Sequence, residues 1–111
     1  MADADASLAF LTALAALATR LAADGVVVHA VSYQSHGFGG WEVEAGRRRT
    51  RVRVRWQGKD RQLVVETAEL ASGSHARSWQ LVEEHDYRDR RPELAPLLAT
   101  THAAITAHAG V

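Results

Sequence analysis

Residues 41 to 66 alternate apolar and charged side chains with a period of two, the pattern of β-strands that bury one face only. Glycines interrupt the alternation at short intervals, so consecutive strands are joined by tight turns and pair antiparallel. The apolar face of such a sheet has to be covered by another part of the chain. The alternation therefore limits the fold to a layered arrangement in which other elements cover one side of a meander.

Two stretches with a period near 3.6 flank this region and predict amphipathic helices. The first runs from Asp5 to Asp24 and ends before Gly25, which suits the left-handed residue that commonly closes a helix. The second follows the polar segment 85–92, and its regular part is expected to begin near Pro96, because proline is costly inside a helix. The first apolar stripe is Phe10, Leu14, Leu17 and Leu21, widened by Leu8 and Leu11, and the second is Leu94, Leu97, Leu98, Thr101, Ile105 and His108.

The fold predicted from these patterns is a single α+β domain spanning residues 1–111, a length that suits one core. Strands are expected near residues 26–35, 41–46, 50–57 and 61–68, and residues 79–84 form either a fifth strand or the start of a helix. The architecture is a two-layer sandwich with an N-terminal helix, an antiparallel meander of four to five strands and a C-terminal helix. Both helices are expected on one face of the sheet, with Val52, Val54, Leu63 and Val65 buried and Arg51, Arg53 and Arg55 exposed.

The segment RRRTRVRVRW, residues 47–56, holds six arginines in ten positions and raises the question of nucleic-acid binding. The formal net charge of the chain is zero, so no overall field attracts a polyanion. A turn at residues 58–59 and a four-residue loop at 46–49 predict a register in which Arg51 lies between Glu44 and Glu66. Arg53 then lies beside Glu42, and the charge of the stretch is largely neutralised.

Four arginines keep no carboxylate partner in this register: Arg55, and Arg47, Arg48 and Arg49 at the hairpin tip. The tip can hold a phosphate or an acidic partner. Non-specific binding of nucleic acid at physiological salt is nevertheless expected to be weak, because so few contacts cannot withstand competition from salt.

The residues that usually make metal and catalytic sites show no recognisable spacing in this sequence. The chain has no cysteine, which removes disulfides and thiolate ligands, and its histidines lack the short spacings of metal sites. No metal and no cofactor are therefore expected. An enzyme would need buried titratable groups that converge in a pocket, and the candidates for such a group are His36, Glu42 and His85.

The segment YQSHGFGGW, residues 33–41, combines aromatic residues with glycines between two predicted strands. It enters a strand and not a helix, so it does not resemble a phosphate-binding loop. Aromatic side chains in a glycine-rich loop are typical of a ligand pocket or a protein contact, although Phe38 can also fold back over the core. Tyr33, His36 and Phe38 are therefore candidate binding residues.

No motif in the sequence identifies a family. The order of helix, meander and helix is broadly similar to that of frataxins, and less closely to double-stranded-RNA-binding domains and type III secretion chaperones. The first resemblance implies an acidic first helix, whereas this one is rich in alanine. The second implies a basic start to the last helix, where only Arg88, Arg90 and Arg91 come near.

The function predicted from the sequence is that of a small non-enzymatic protein-interaction domain of adaptor, chaperone or immunity type. Two alternatives stay open, namely nucleic-acid or phospholigand binding through the hairpin tip and a small enzyme with a site near residues 33–41. The expected partner is another protein, a homodimer is compatible with the sequence, and membrane association is not expected. A usage of many arginines and one lysine indicates a bacterial source, and the absence of cysteine is compatible with the cytoplasm.

Overall fold

The structure, a computed structural model, describes residues 2–34, 39–70, 78–90 and 92–111. Its elements are helix α1 (Ala2–Ala23), strands β1 (Val27–Tyr33), β2 (Trp41–Arg47), β3 (Thr50–Gln57), β4 (Gln62–Glu69) and β5 (Gln80–Asp86), and helix α2 (Leu94–His108). The five strands form one sheet in the order β1-β2-β3-β4-β5, with every neighbouring pair antiparallel. The predicted α+β meander flanked by two helices is confirmed, and residues 80–86 form a fifth strand.

The ends of the two helices follow from their local sequences. Gly25 adopts φ 77 just after α1, as its predicted role as the helix-closing residue requires. Helix α2 begins at Leu94, two residues before the predicted start at Pro96. This difference has a simple cause, since the amide groups of the first helical turn have no partner inside the helix and a proline there removes no hydrogen bond.

The register between β2 and β3 differs from the prediction by two residues. The hairpin turns through Arg48 and Arg49 alone, so that Arg47 pairs with Thr50 and Trp41 with Trp56. The longer strands bring Gly46 opposite Arg51, where a Cβ on Gly46 would come within 2.6 Å of the Thr50 carbonyl oxygen. The predicted four-residue loop at 46–49 was therefore wrong. In the shorter turn Arg48 adopts a left-handed backbone conformation with φ 60.

The register between β3 and β4 is shifted by two residues in the same sense. A four-residue connection, residues 58–61, joins Gln57 to its partner Gln62, and Arg53 now pairs with Glu66. Since side chains alternate with a period of two, a shift of two residues leaves every side chain on its predicted face. The shift changes the partners of the arginines and leaves the composition of the core as predicted.

The core lies on one face of the sheet and receives side chains from both helices. Helix α1 packs over β1 and beside α2, which packs over β3 and β4, so the predicted two-layer arrangement is confirmed. All four strand residues expected in the core are fully buried, and the predicted helix residues are buried as well: Leu14, Leu17, Leu21, Leu97, Leu98 and Ile105. Leu8 and Leu11 are exposed, so the predicted widening of the α1 stripe does not reach the core.

Candidate interaction surface

The three arginines at the tip of the β2–β3 hairpin do not share one environment. Arg47 lies on the helix side of the sheet, and its Nη1 donates a hydrogen bond of 2.9 Å to the carbonyl oxygen of Gly110. It also lies beside Gly25, so it is close to the C-terminal ends of both helices, whose partial negative charge favours a cation. Only Arg48 and Arg49 are exposed at the tip. The candidate anion site thus has two of its three predicted side chains at the surface.

The arginines of β3 are paired differently from the prediction. Arg53 and Arg55 both contact the carboxylate of Glu66, at 3.1 and 2.9 Å. Arg51 lies opposite Gly46 and Ala68, and it makes no ion pair with any carboxylate that the structure describes. Arg51 and Arg55 therefore exchange the roles that the predicted register gave them. All three side chains lie on the outer face as predicted, but they are half-buried and not exposed.

The aromatic loop is described only at its two ends. Tyr33 is half-buried at the end of β1, where its ring stacks on Phe10 of α1 with centroids 4.7 Å apart. Tyr33 thus contributes to the packing of α1 against the sheet. His36 and Phe38, the other two candidate binding residues of this loop, lie outside the described residues.

Two of the catalytic candidates, Glu42 and His85, lie on opposite faces of the sheet. Glu42 pairs with Arg55 on the outer face, whereas His85 pairs with Leu63 on the face that carries the core. The structure therefore does not bring these two residues together.

His85 instead belongs to a cluster at the edge of the sheet, formed with Glu83 and His108. The Glu83 carboxylate contacts Nε2 of His85 at 2.9 Å and Nε2 of His108 at 2.5 Å. Partial burial by itself would raise the pKa of Glu83, but the hydrogen bonds and charges of the two histidines hold that pKa below its usual value. The cluster ties β5 to the last turn of α2.

Sequence reasoning missed this cluster because of a bulge in β5. The register shifts between the pairs Val65–Glu83 and Glu66–Leu81, which leaves Val82 as an extra residue. Leu81 therefore faces outward while Glu83 and His85 face the helices. A strand read with strict alternation places Leu81, Glu83 and His85 on one face, and no local signal in the sequence marks the bulge.

The outer face of the sheet carries an aromatic and apolar surface next to its charged rows. The guanidinium of Arg53 lies 4.2 Å from the centre of the Trp79 ring. Leu81, on the same face, is 57% exposed, while Val64 and Ala68 beside it on β4 are buried. We call this surface, formed by Arg53, Val64, Ala68, Trp79 and Leu81, the outer-face patch. It brings together a cation, an indole ring and an aliphatic side chain across three neighbouring strands, β3, β4 and β5.

Other kinds of site receive little support from the described residues. Within residues 2–34, 39–70, 78–90 and 92–111, no three histidine, aspartate or glutamate side chains are arranged to hold a metal ion. Neither helix has the length and apolar character needed to cross a membrane.

Comparison with protein-family models, with curated proteins and with solved structures finds no match to this chain. The resemblance of element order to frataxins therefore gains no support from these comparisons.

Proposed function

We propose that this chain is a small non-enzymatic protein-interaction domain that binds its partner with the outer-face patch. The observation that carries the proposal is the stacking of Arg53 on Trp79 beside the exposed Leu81. Tryptophan and arginine are the residue types most enriched among those that dominate the energy of protein interfaces. A rigid sheet also presents them without the entropic cost of ordering a loop.

The charges around the patch describe the partner that it fits. Glu66 bridges Arg53 and Arg55, and Glu44 and Glu42 lie opposite these two arginines on β2, so a protein that covers the two guanidinium groups leaves them with carboxylates close by. Arg51, on the same face, has no carboxylate partner among the described residues. The matching partner presents an apolar side chain to Trp79 and Leu81 and a carboxylate to Arg51. An adaptor or chaperone that recognises one protein segment needs a surface of this kind.

Affinity capture with the tagged domain and two matched variants tests this proposal. Leu81→Glu places a charge in the patch, and Val111→Glu places the same charge at the last residue of the sequence, a side chain of similar exposure, 56%. We expect the proteins retained by the unmodified domain to be lost with Leu81→Glu and kept with Val111→Glu. Equal retention by both variants, or loss with both, would show that the patch is not the binding surface.

Nucleic-acid binding through Arg48, Arg49 and Arg51 is the second candidate, since these three side chains make no ion pair with a described carboxylate. Three phosphate contacts give little affinity at about 150 mM salt, because affinity falls steeply with salt for each counterion released. We expect a titration with random duplex DNA to show no binding at micromolar concentration. Tight binding that is lost when all three arginines are changed to alanine would favour this second function.

A further inference from the structure

Among the residues that the structure describes, strand β1 is an open edge of the sheet, and its own sequence lacks the residues that usually protect such an edge from another strand. Its sequence VVHAVSY contains no Lys, Arg, Asp, Glu or Pro, and five of its seven residues are exposed. Natural edge strands are commonly guarded by such charged residues or prolines, because their free N–H and C=O groups can pair with another chain. The bulge near His29 disturbs the start of β1 only, and residues 30–33 pair regularly with β2.

Helix α1 lies above this edge and exposes an apolar stripe of its own. No residue from 6 to 19 is charged, and Leu8 and Leu11 are 64% and 57% exposed. Leu11 lies about 100° around the helix from the buried Phe10, so it occupies a flank of α1 and not the face that covers the sheet. A helix that is apolar on both its inner and outer flanks is typical of one that is covered on both.

The spacing of the two layers allows both surfaces to be covered at once by a second copy. The ring of Phe10 contacts Tyr33 of β1 and Trp41 of β2, which places α1 above these two strands. If two β1 strands pair across a two-fold axis, the two α1 helices come to lie about two strand spacings apart, or roughly 10 Å. Helices that pack directly are separated by about 8–10 Å, so pairing of the β1 strands and packing of the α1 helices can occur in the same dimer.

We propose that a second copy of this chain pairs antiparallel with β1, forming a continuous sheet of two domains with the α1 helices side by side. Residues opposite each other in an antiparallel pair share one face, so the two-fold axis passes through a residue of β1. Val31 and Ser32 are the two central residues of the regularly paired part, residues 30–33. The axis at Val31 buries the exposed valine of each copy against the other. It also brings Ala30 of each copy opposite Ser32 of its partner.

The charges favour a second copy of the chain over a different partner. A two-fold axis brings each residue near its own equivalent, so a charged side chain at the axis would meet a like charge. Neither β1 nor residues 6–19 of α1 supplies such a charge, and the net charge of the chain is zero. A standard interface needs about 800 Å² from each partner, and the flank of α1, a helix of 22 residues, adds its area to that of the strand edge.

Disulfide crosslinking of single-cysteine variants gives a direct test, because the chain contains no cysteine of its own. Opposite residues of paired strands have Cα atoms about 4.5–5.5 Å apart, within the range that a disulfide spans. We expect Val31→Cys to form a covalent dimer under mild oxidation at micromolar concentration. Leu81→Cys, on the opposite edge and exposed to 57%, is the control and is expected to stay monomeric. Equal crosslinking of the two variants would overturn the proposal.

The mass of the unmodified chain in solution provides the second readout. Sedimentation or light scattering should give twice 12.1 kDa for the unmodified chain and 12.1 kDa for Leu11→Glu. Circular dichroism of Leu11→Glu should be unchanged, since this side chain is 57% exposed and does not belong to the core. A monomeric unmodified chain would refute the dimer and leave the outer-face patch untouched, because the two proposals use different surfaces.

Discussion

The two edges of the sheet are built from opposite kinds of residue. Strand β1 carries no acidic or basic residue except His29, whereas β5 contains Glu83, Glu84 and Asp86 within seven residues. Both strands have a bulge, so the bulge is not what distinguishes them. Charge makes the β5 edge unsuitable for the addition of another strand, and β1 has no such protection. The comparison shows that only the β5 edge carries the charged residues that keep another strand from pairing with it.

The two edges are also attached to the helix layer by different interactions. At β1 the attachment is aromatic, with Phe10 between Tyr33 and Trp41. At β5 it is polar and ionisable, with Glu83 joined to His108 of α2. We therefore expect the β1 edge to depend on packing and the β5 edge to depend on pH.

The largest expected effect is the loss of the aromatic contact at β1. Phe10→Ala removes a ring that is 1% exposed and should lower the free energy of unfolding by about 3–5 kcal/mol. Urea denaturation followed by circular dichroism measures this change. Leu81→Ala on the β5 edge is the control, and because its side chain is mostly exposed it should cost less than about 0.5 kcal/mol. Similar losses in the two variants would contradict the assigned packing.

A smaller effect is expected from removing the polar contact at β5. Glu83→Gln replaces the charged acceptor of two histidines with a neutral amide and should lower the free energy of unfolding by about 1 kcal/mol at neutral pH. Glu84→Gln, which alters an exposed neighbour on the other face, should change it little. Equal stabilities of the two variants would mean that the cluster contributes nothing.

Acid should weaken the β5 attachment through the same carboxylate. The pKa of Glu83 is lower in the folded protein than in the unfolded chain, so the unfolded chain takes up this proton first as the pH falls. The stabilisation is complete above the ordinary glutamate pKa, about 4.3, and is lost progressively below it. The free energies of unfolding of the unmodified chain and of Glu83→Gln should therefore approach each other as the pH falls below that value. A constant difference at all pH values would rule out this linkage.

The smallest expected effect concerns His29, the titratable side chain of the β1 edge. Partial burial and the charge of Arg51 lower its pKa, with Glu44 acting in the opposite direction. Its contribution to stability is present above the ordinary histidine pKa, about 6.5, and falls as the pH drops below it. In an NMR titration, Arg51→Gln should raise the pKa of His29 and Glu44→Gln should lower it further. Identical titration curves in the three proteins would contradict the placement of Arg51 beside β1.

Much of the fold could be predicted from the sequence because periodicity acts over many residues. The buried positions of β3 and β4 were predicted correctly from a register that was wrong by two residues. The error did not matter for the core, since the face of a strand is unchanged by an even shift. It did matter for the surface, because Arg51 lost both predicted carboxylate partners and Arg55 gained Glu66.

The candidate sites were harder to predict because they depend on single turns and bulges. A four-residue loop at 46–49 and a two-residue turn at Arg48–Arg49 give the same alternation, so the pattern could not distinguish them. Likewise, one extra residue in β5 decided that Glu83 and His85 face α2. The outer-face patch could be predicted only in part. Trp79 and Leu81 were correctly assigned to one face, but the contact between Arg53 and Trp79 depends on the register of the strands.

The sequence by itself determined the class of each element and the side chains that enter the core. These properties follow from solvent exclusion along each helix and strand, which needs no knowledge of the neighbouring element. Only the tertiary structure decided which charges meet, because an ion pair requires two side chains from different strands to come within a few ångströms. At Gly46 a Cβ would clash with Thr50, so glycine permits the observed β2–β3 register, and in this register Arg51 has no carboxylate partner of the kind that the sequence suggested.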